Sequence, residues 1–161
     1  MTAVATTGLW AMAIACGVMA GVYFTFSTFV MSSLEAIPKP EGIAAMQSIN
    51  RVILKSLFMP LFFTTSFASL ALAIWGISRW GHSGALFLVV GGLVYFMGMF
   101  VCTVALNVPL NNVLDSVEPT TPDAVEIWSD YLRTWTRWNH VRTVSSTTAC
   151  ALFLAAAQAL A

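Results

Sequence analysis

Charge is what this sequence has least of. Asp, Glu, Lys and Arg make up 9% of its 161 residues, where a soluble domain carries about a quarter. None of them falls in residues 1–34, 56–78, 80–114 or 143–161. Each of these windows can cross ~30 Å of hydrocarbon as a helix, which takes roughly 20 residues. With 58% hydrophobic residues and a mean hydropathy of +0.82, a water-soluble globule is excluded. The net charge is zero, so the basic surface that nucleic acid requires is missing too. Cysteine is scarce and scattered: Cys16, Cys102 and Cys150 lie singly in three windows. Without a CxxC or Cys/His cluster, neither a disulfide framework nor a thiolate metal site is expected, and the three read as small packing residues. The first window lacks a Lys/Arg n-region and is too long for an h-region, so it reads as a span, not a signal peptide. The Ala13-Ile14-Ala15 before Cys16 is a poor lipoprotein signal. Also missing are a glycine-rich phosphate loop, a nucleophile–base pair and a carboxylate pair inside any window.

What remains predicts an all-α polytopic membrane protein, a single integral membrane domain over residues 1–161. Its four-transmembrane-helix bundle has spans at about 4–34, 56–78, 84–107 and 141–160, an amphipathic helix before helix 2, and a long extension preceding helix 4. In the first span, Ala13, Gly17 and Gly21 recur every four residues, a spacing that lets another helix approach closely. It serves packing within the chain, or a homo-oligomer through the Gly17/Gly21 face. From Gly42 to Phe58, Ile43, Met46, Asn50, Ile53 and Leu57 form one stripe. Pro60, which lacks a helix-interior donor, kinks that helix or starts the next. Residues 79–84 form a turn, with His82 solvated. Pro109 frees a carbonyl that Asn107 and Asn111, four apart on one face, can re-pair. Thr121-Pro122-Asp123 is a helix start, with a capping hydroxyl, proline at the first position and an acid in the first turn. No stop signal follows, so this last helix runs into the fourth span. Its spacing puts Trp128, Tyr131, Leu132, Trp135, Asn139, Arg142 and Ser146 inward, and Glu126, Asp130, Arg133 and Arg137 toward water. His140 lies about 120° from the aromatic stripe.

Two long connections, 35–55 and 115–142, share one side and hold six of the seven Lys and Arg residues. The positive-inside rule places them in the cytoplasm of a multi-pass cell-membrane protein. On the same side gather Gln47, Asn50, Arg51, Asn107, Asn111, Asn139, His140 and Arg142, with Trp135 and Trp138. Polar groups at membrane depth are costly, and facing a bundle interior they read as functional. An aromatic-walled cavity with a few amides and one Arg suits a flat, lipophilic molecule bearing oxygen atoms. Alternatively these residues close the helix ends, Trp as an aromatic belt and Arg snorkelling. One histidine and Glu35 make no conventional zinc or iron site, so no metal is expected. Haem ligation by one His and a Met, or a bound quinone, stays open.

Four stretches carry a resemblance along nearly the whole chain: GVYFTFSTFVMSSL at 21–34, GIAAMQSIN at 42–50, NVPLNN at 107–112 and WTRWNHVRT at 135–143. The sequence resembles the anthrone-oxygenase-like family of small four-helix membrane proteins. It departs at Ser32, where that family often has proline after the FVM stretch. The resemblance implies a membrane-embedded oxidoreductase that oxidises an anthrone-, phenol- or quinone-like substrate without a tightly bound cofactor. In such an enzyme, Arg142, Asn139 and Asn107 are the expected donors to a developing oxyanion, and His140 is the expected base. Trp135 and Trp138 would stack on the substrate, with Gln47, Asn50, Asn111 and Tyr23 completing the binding site. The competing reading is a non-catalytic membrane protein that binds a lipid, a quinone or a partner helix. A transporter fits less well, because four spans enclose a path only as an oligomer and no charge sits mid-span.

Overall fold

The computed structural model describes residues 3–160. It is all-α, 88% helical, with no strand among the described residues. Five rods follow one another. The first is α1 (Ala3–Thr25), continued through a π-helical segment (Phe26–Val30) into α2 (Met31–Ala36). Then come α3 (Lys39–Ile53) and α4 (Phe58–Ser78). The fourth rod is α5 (Ala85–Tyr95), two π segments (Phe96–Val101 and Thr103–Asn107) and α6 (Val108–Asp115). The fifth is α7 (Pro122–Ala159), unbroken over 38 residues as its lack of a stop signal predicts.

Three rods are long and apolar enough to cross a membrane: Val4–Ala36, Phe58–Ser78 and Ala85–Asp115. The expected fourth is not among them. Its charge-free stretch is the C-terminal part of α7, residues 143–159, which is short after Arg142 and carries Ser145, Ser146, Thr147 and Thr148.

Local chemistry sets the boundaries. The α3 stripe was expected to reach Phe58, but the helix stops at Ile53 and Leu57 is left exposed. Ser56 is the cause: its hydroxyl donates to the Ile53 carbonyl at 2.8 Å and accepts the Phe58 N–H at 3.2 Å. One side chain thus bonds on both sides of the break between α3 and α4, and Pro60 falls in the first turn of α4, where its missing donor costs nothing. Thr121 precedes α7 as expected, but its hydroxyl donates to the Glu118 carbonyl at 2.9 Å instead of capping the helix.

α7 packs along α1, and α5 packs against both α4 and α7. The predicted inward face of α7 is buried, Leu132 only partly, and Glu126, Asp130, Arg133 and Arg137 are exposed. A larger core of Leu9, Cys16, Met19, Tyr95, Met99 and Phe153 fills the middle of the bundle. A smaller one, built from Met31, Ile43, Met46, Leu114, Trp128 and Tyr131, joins α3, α6 and the first half of α7. Within the chain, Gly17 faces Cys150 of α7, whereas Gly21 is exposed with nothing within 4 Å of where a Cβ would sit.

α4 and α5 meet through glycine. A Cβ at Gly92 would sit inside van der Waals contact of the Ser69 carbonyl oxygen and 2.8 Å from the Ala73 Cβ. Backbone cannot rotate away as a side chain can. Gly92→Ala should therefore cost about 1–3 kcal/mol, the usual cost of overpacking, and lower Tm by several degrees. Thermal melting of the detergent-solubilised protein checks this; Gly21→Ala, in open space, should leave Tm within a degree or two.

Candidate functional site

Between the two cores lies a cavity of about 190 Å³, open on one side. Its walls are mostly apolar, with Phe26, Met46, Phe58, Phe62 and Val104 among them, and its polar groups come from Tyr23, Asn50, Thr103, Asn111, Trp135 and Arg142. An engineered cavity of ~150 Å³ takes one benzene. This one therefore accommodates a ring with substituents, and a larger fused system extends through the mouth. Exposed Leu54 and Phe63 stand at that mouth, so it opens onto an apolar surface.

Arg142 dominates the chemistry. It is 5% exposed, and its guanidinium lies 4.5 Å from the Tyr23 ring centroid and 4.8 Å from that of Trp135. No carboxylate pairs with it. Among the described residues the ion pairs are Arg51–Asp115 and Arg133–Asp130, both exposed. Its Nη2 donates to Asn139 Oδ1 at 2.8 Å, while its Nε is buried without a partner. Two aromatic faces and one neutral amide compensate only part of what a buried cation loses in leaving water. An anion entering the cavity would supply the rest.

Asn139 aims this group. Its Nδ2 donates to the Tyr23 carbonyl at 2.7 Å and to Ser27 Oγ at 2.7 Å, which leaves Oδ1 for Arg142. Tyr23 and Ser27 flank the change from α to π winding. There the hydrogen-bond ladder shifts from i→i+4 to i→i+5, and Asn139 holds the Tyr23 carbonyl. On the facing rod, the two π segments between Phe96 and Asn107 carry Thr103 into the cavity wall. Such π segments interrupt α-helices frequently at functional sites.

The sequence-derived candidates divide into three groups. Tyr23, Asn50, Asn111, Trp135 and Arg142 line the cavity. Asn139, Asn107 and Gln47 are buried behind it, with their donors already engaged. Asn107 Nδ2 donates to the Trp135 carbonyl at 3.2 Å, and Gln47 Nε2 donates to the Leu114 and Val117 carbonyls at 2.8 and 2.9 Å. These three fix helices to one another and are not part of the cavity wall. Nor do Asn107 and Asn111 repair the ladder around Pro109, since both bond to α7. Trp138 and His140 stand apart from the cavity: the Trp138 ring lies 5.9 Å from the Arg137 guanidinium, and His140 is exposed. The helical angle of His140 had already turned it from the aromatic face. His140→Ala should therefore keep turnover within about twofold of wild type in an oxygen-uptake assay, whereas a base in the reaction would lose ~10²–10⁴.

Sequence reasoning missed Thr103 and the Phe26, Phe58 and Phe62 wall. Phe58 and Phe62 are four apart after the Ser56 break, a spacing that would have put both rings on one face. Among the described residues no three His, Cys, Asp or Glu side chains come together as a metal site would need.

No curated protein and no solved structure matches the chain. The anthrone oxygenase family model does, over residues 46–152, which includes most of the cavity wall, two of the four resembling stretches whole and the second half of a third. The chain belongs to the anthrone oxygenase family.

Proposed function

We propose that this protein is a membrane-embedded oxygenase that converts a lipophilic anthrone-like phenol to the quinone. The observation that carries the reading is the buried Arg142 guanidinium, without a carboxylate and facing an apolar cavity. An anthrone methylene is acidic because losing its proton gives an aromatic phenolate-type anion. Arg142 stabilises that oxyanion as it forms, in a site where the charge is worth far more than in water. No imidazole or carboxylate lines the cavity, so the proton passes to a water molecule that enters with the substrate. The electron-rich anion then transfers an electron to O₂, and the resulting radicals combine into a carbon-bound peroxide. After proton uptake, the peroxide loses water to leave a carbonyl. In sum, one CH₂ and one O₂ become one C=O and one H₂O. The apolar walls concentrate both reactants and exclude competing water.

The same reading takes α7 from residue 143 onward as a fourth span, because it packs along α1, itself long and apolar enough to cross. With Arg142 engaged in the site, five Lys and Arg residues on the long connections still outnumber Arg79 on the other side. This orientation puts the cavity at the cytoplasmic end of the bundle in the cell membrane. The exposed Leu54 and Leu57 would meet the acyl chains, so a lipophilic substrate enters sideways from the bilayer.

The test is oxygen uptake by the purified protein in phospholipid vesicles supplied with anthrone, with and without a chelator. One O₂ consumed per quinone formed, at a rate the chelator does not change, is expected. No uptake above the protein-free rate, with anthrone, hydroquinone and phenol substrates alike, would leave the binding-protein alternative.

A further inference from the structure

The cavity has a second polar end, and one donor fixes the orientation of every group in it. The Trp135 indole N–H can only donate, and it lies 2.8 Å from Asn111 Oδ1. The amide of Asn111 is therefore locked with its oxygen toward the indole. Tyr131 reaches the same oxygen at 2.8 Å, so its phenol must donate there as well. Burial pushes the Tyr131 phenol pKa up, which keeps that proton in place. Its proton spent, the phenol oxygen can only accept, and Asn50 Nδ2 lies 3.4 Å from it. Two groups at the cavity wall are left over: Asn111 Nδ2, a donor, and Asn50 Oδ1, an acceptor. Neither has a protein partner among the described residues.

A free donor and a free acceptor, on two amides joined through the Tyr131 hydroxyl, match a hydroxyl, which takes one hydrogen bond and gives one. A carbonyl or an ether satisfies only the donor and leaves Asn50 Oδ1 unpaired. The pair stands one indole away from Arg142, because Trp135 holds the guanidinium over its ring and Asn111 on its N–H edge. We propose that Asn50 and Asn111 form a specificity site that reads a free hydroxyl on the substrate, distinct from the oxygen that faces Arg142. The inference rests on the oxygenase reading for what Arg142 holds. Tyr131 is a positioning residue in it, orienting Asn50 without touching the substrate.

The experiment compares each monohydroxyanthrone with its own methyl ether, by kcat/KM for oxygen uptake. It is paired with equilibrium dialysis of the matching hydroxyanthraquinones and their ethers. At least one isomer should be preferred over its ether by roughly ten- to a hundredfold, the effect of two neutral hydrogen bonds. The preference should fall to within about threefold in Asn50→Ala and in Asn111→Ala. Tyr131→Phe, which keeps both amides, should lower the same ratio severalfold and show that orientation is read out. Should Asn111→Ala fail to fold, Asn50→Ala and Tyr131→Phe still decide the matter. Turnover of every isomer at its ether's rate would overturn the specificity site and leave the oxygenase reading intact. Selective binding of a hydroxyanthraquinone without any turnover would do the reverse.

Discussion

Arg142→Gln should reduce turnover by ~10²–10³, the loss that follows removal of one preorganised oxyanion donor. The substitution keeps a polar, hydrogen-bonding side chain, shorter by two atoms, and removes the charge and the forked donor set. Because the guanidinium is buried against Tyr23 and Trp135 with its Nε unpartnered, the fold does not depend on its charge. Removing an uncompensated buried cation should leave Tm unchanged or raise it. This pairing of a large kinetic loss with undiminished stability separates a site residue from a structural one. Arg142→Lys should recover little, since an ammonium is a point charge that cannot bond Asn139 and an oxyanion with the same geometry.

The second large effect comes from a residue that never touches the substrate. Asn139→Asp keeps the oxygen that accepts from Arg142 and places a carboxylate beside the guanidinium. The resulting ion pair cancels the charge the cavity presents, so turnover should fall about as far as in Arg142→Gln although the arginine is still present. Asn139→Ala removes the aim but leaves the charge, and should lose less, on the order of tenfold to a hundredfold. Steady-state kcat and KM for both variants, measured with one substrate, give the ranking. Equal losses in the two would mean that Asn139 matters only as a tie between α1 and α7.

Much of this architecture was legible from charge and period. The charge-free windows gave the long apolar rods, and the Thr121-Pro122 start gave the beginning of α7. The 3.6-residue period of α7 sorted buried Trp128, Tyr131, Trp135, Asn139 and Arg142 from exposed Glu126 and Arg133. These features act over one helix, and a single sequence records them directly. The end of α3 was not legible in the same way. An apolar period ran through Leu57, while a single Ser56 hydroxyl ended the helix by bonding on both sides of the break.

The site was legible as a population and not as a division of labour. Five of the ten candidates line the cavity, but Asn107, Asn139 and Gln47 use their amide donors on other helices. An amide reads the same in sequence whether it meets a ligand or a neighbouring carbonyl. The difference lies in inter-helix distances that no spacing encodes. His140 shows the converse. Chemistry favoured it as an acid–base side chain, and its position on the helix leaves it exposed and outside the cavity wall. The π segments gave no sequence signal, yet Thr103, which lines the cavity, belongs to one of them.

The central claim is that Arg142 holds an oxygen anion inside an apolar cavity. Under strictly anaerobic conditions, where no oxidation consumes the ligand, anthrone bound to the protein in vesicles can be titrated with pH. Its anion is followed by absorbance. The account predicts that anthrone ionises at lower pH when bound to the wild-type protein than in protein-free vesicles, and that Arg142→Gln abolishes the difference. Ionisation at the same pH in all three samples, or at higher pH in the wild-type protein than in vesicles alone, would contradict it.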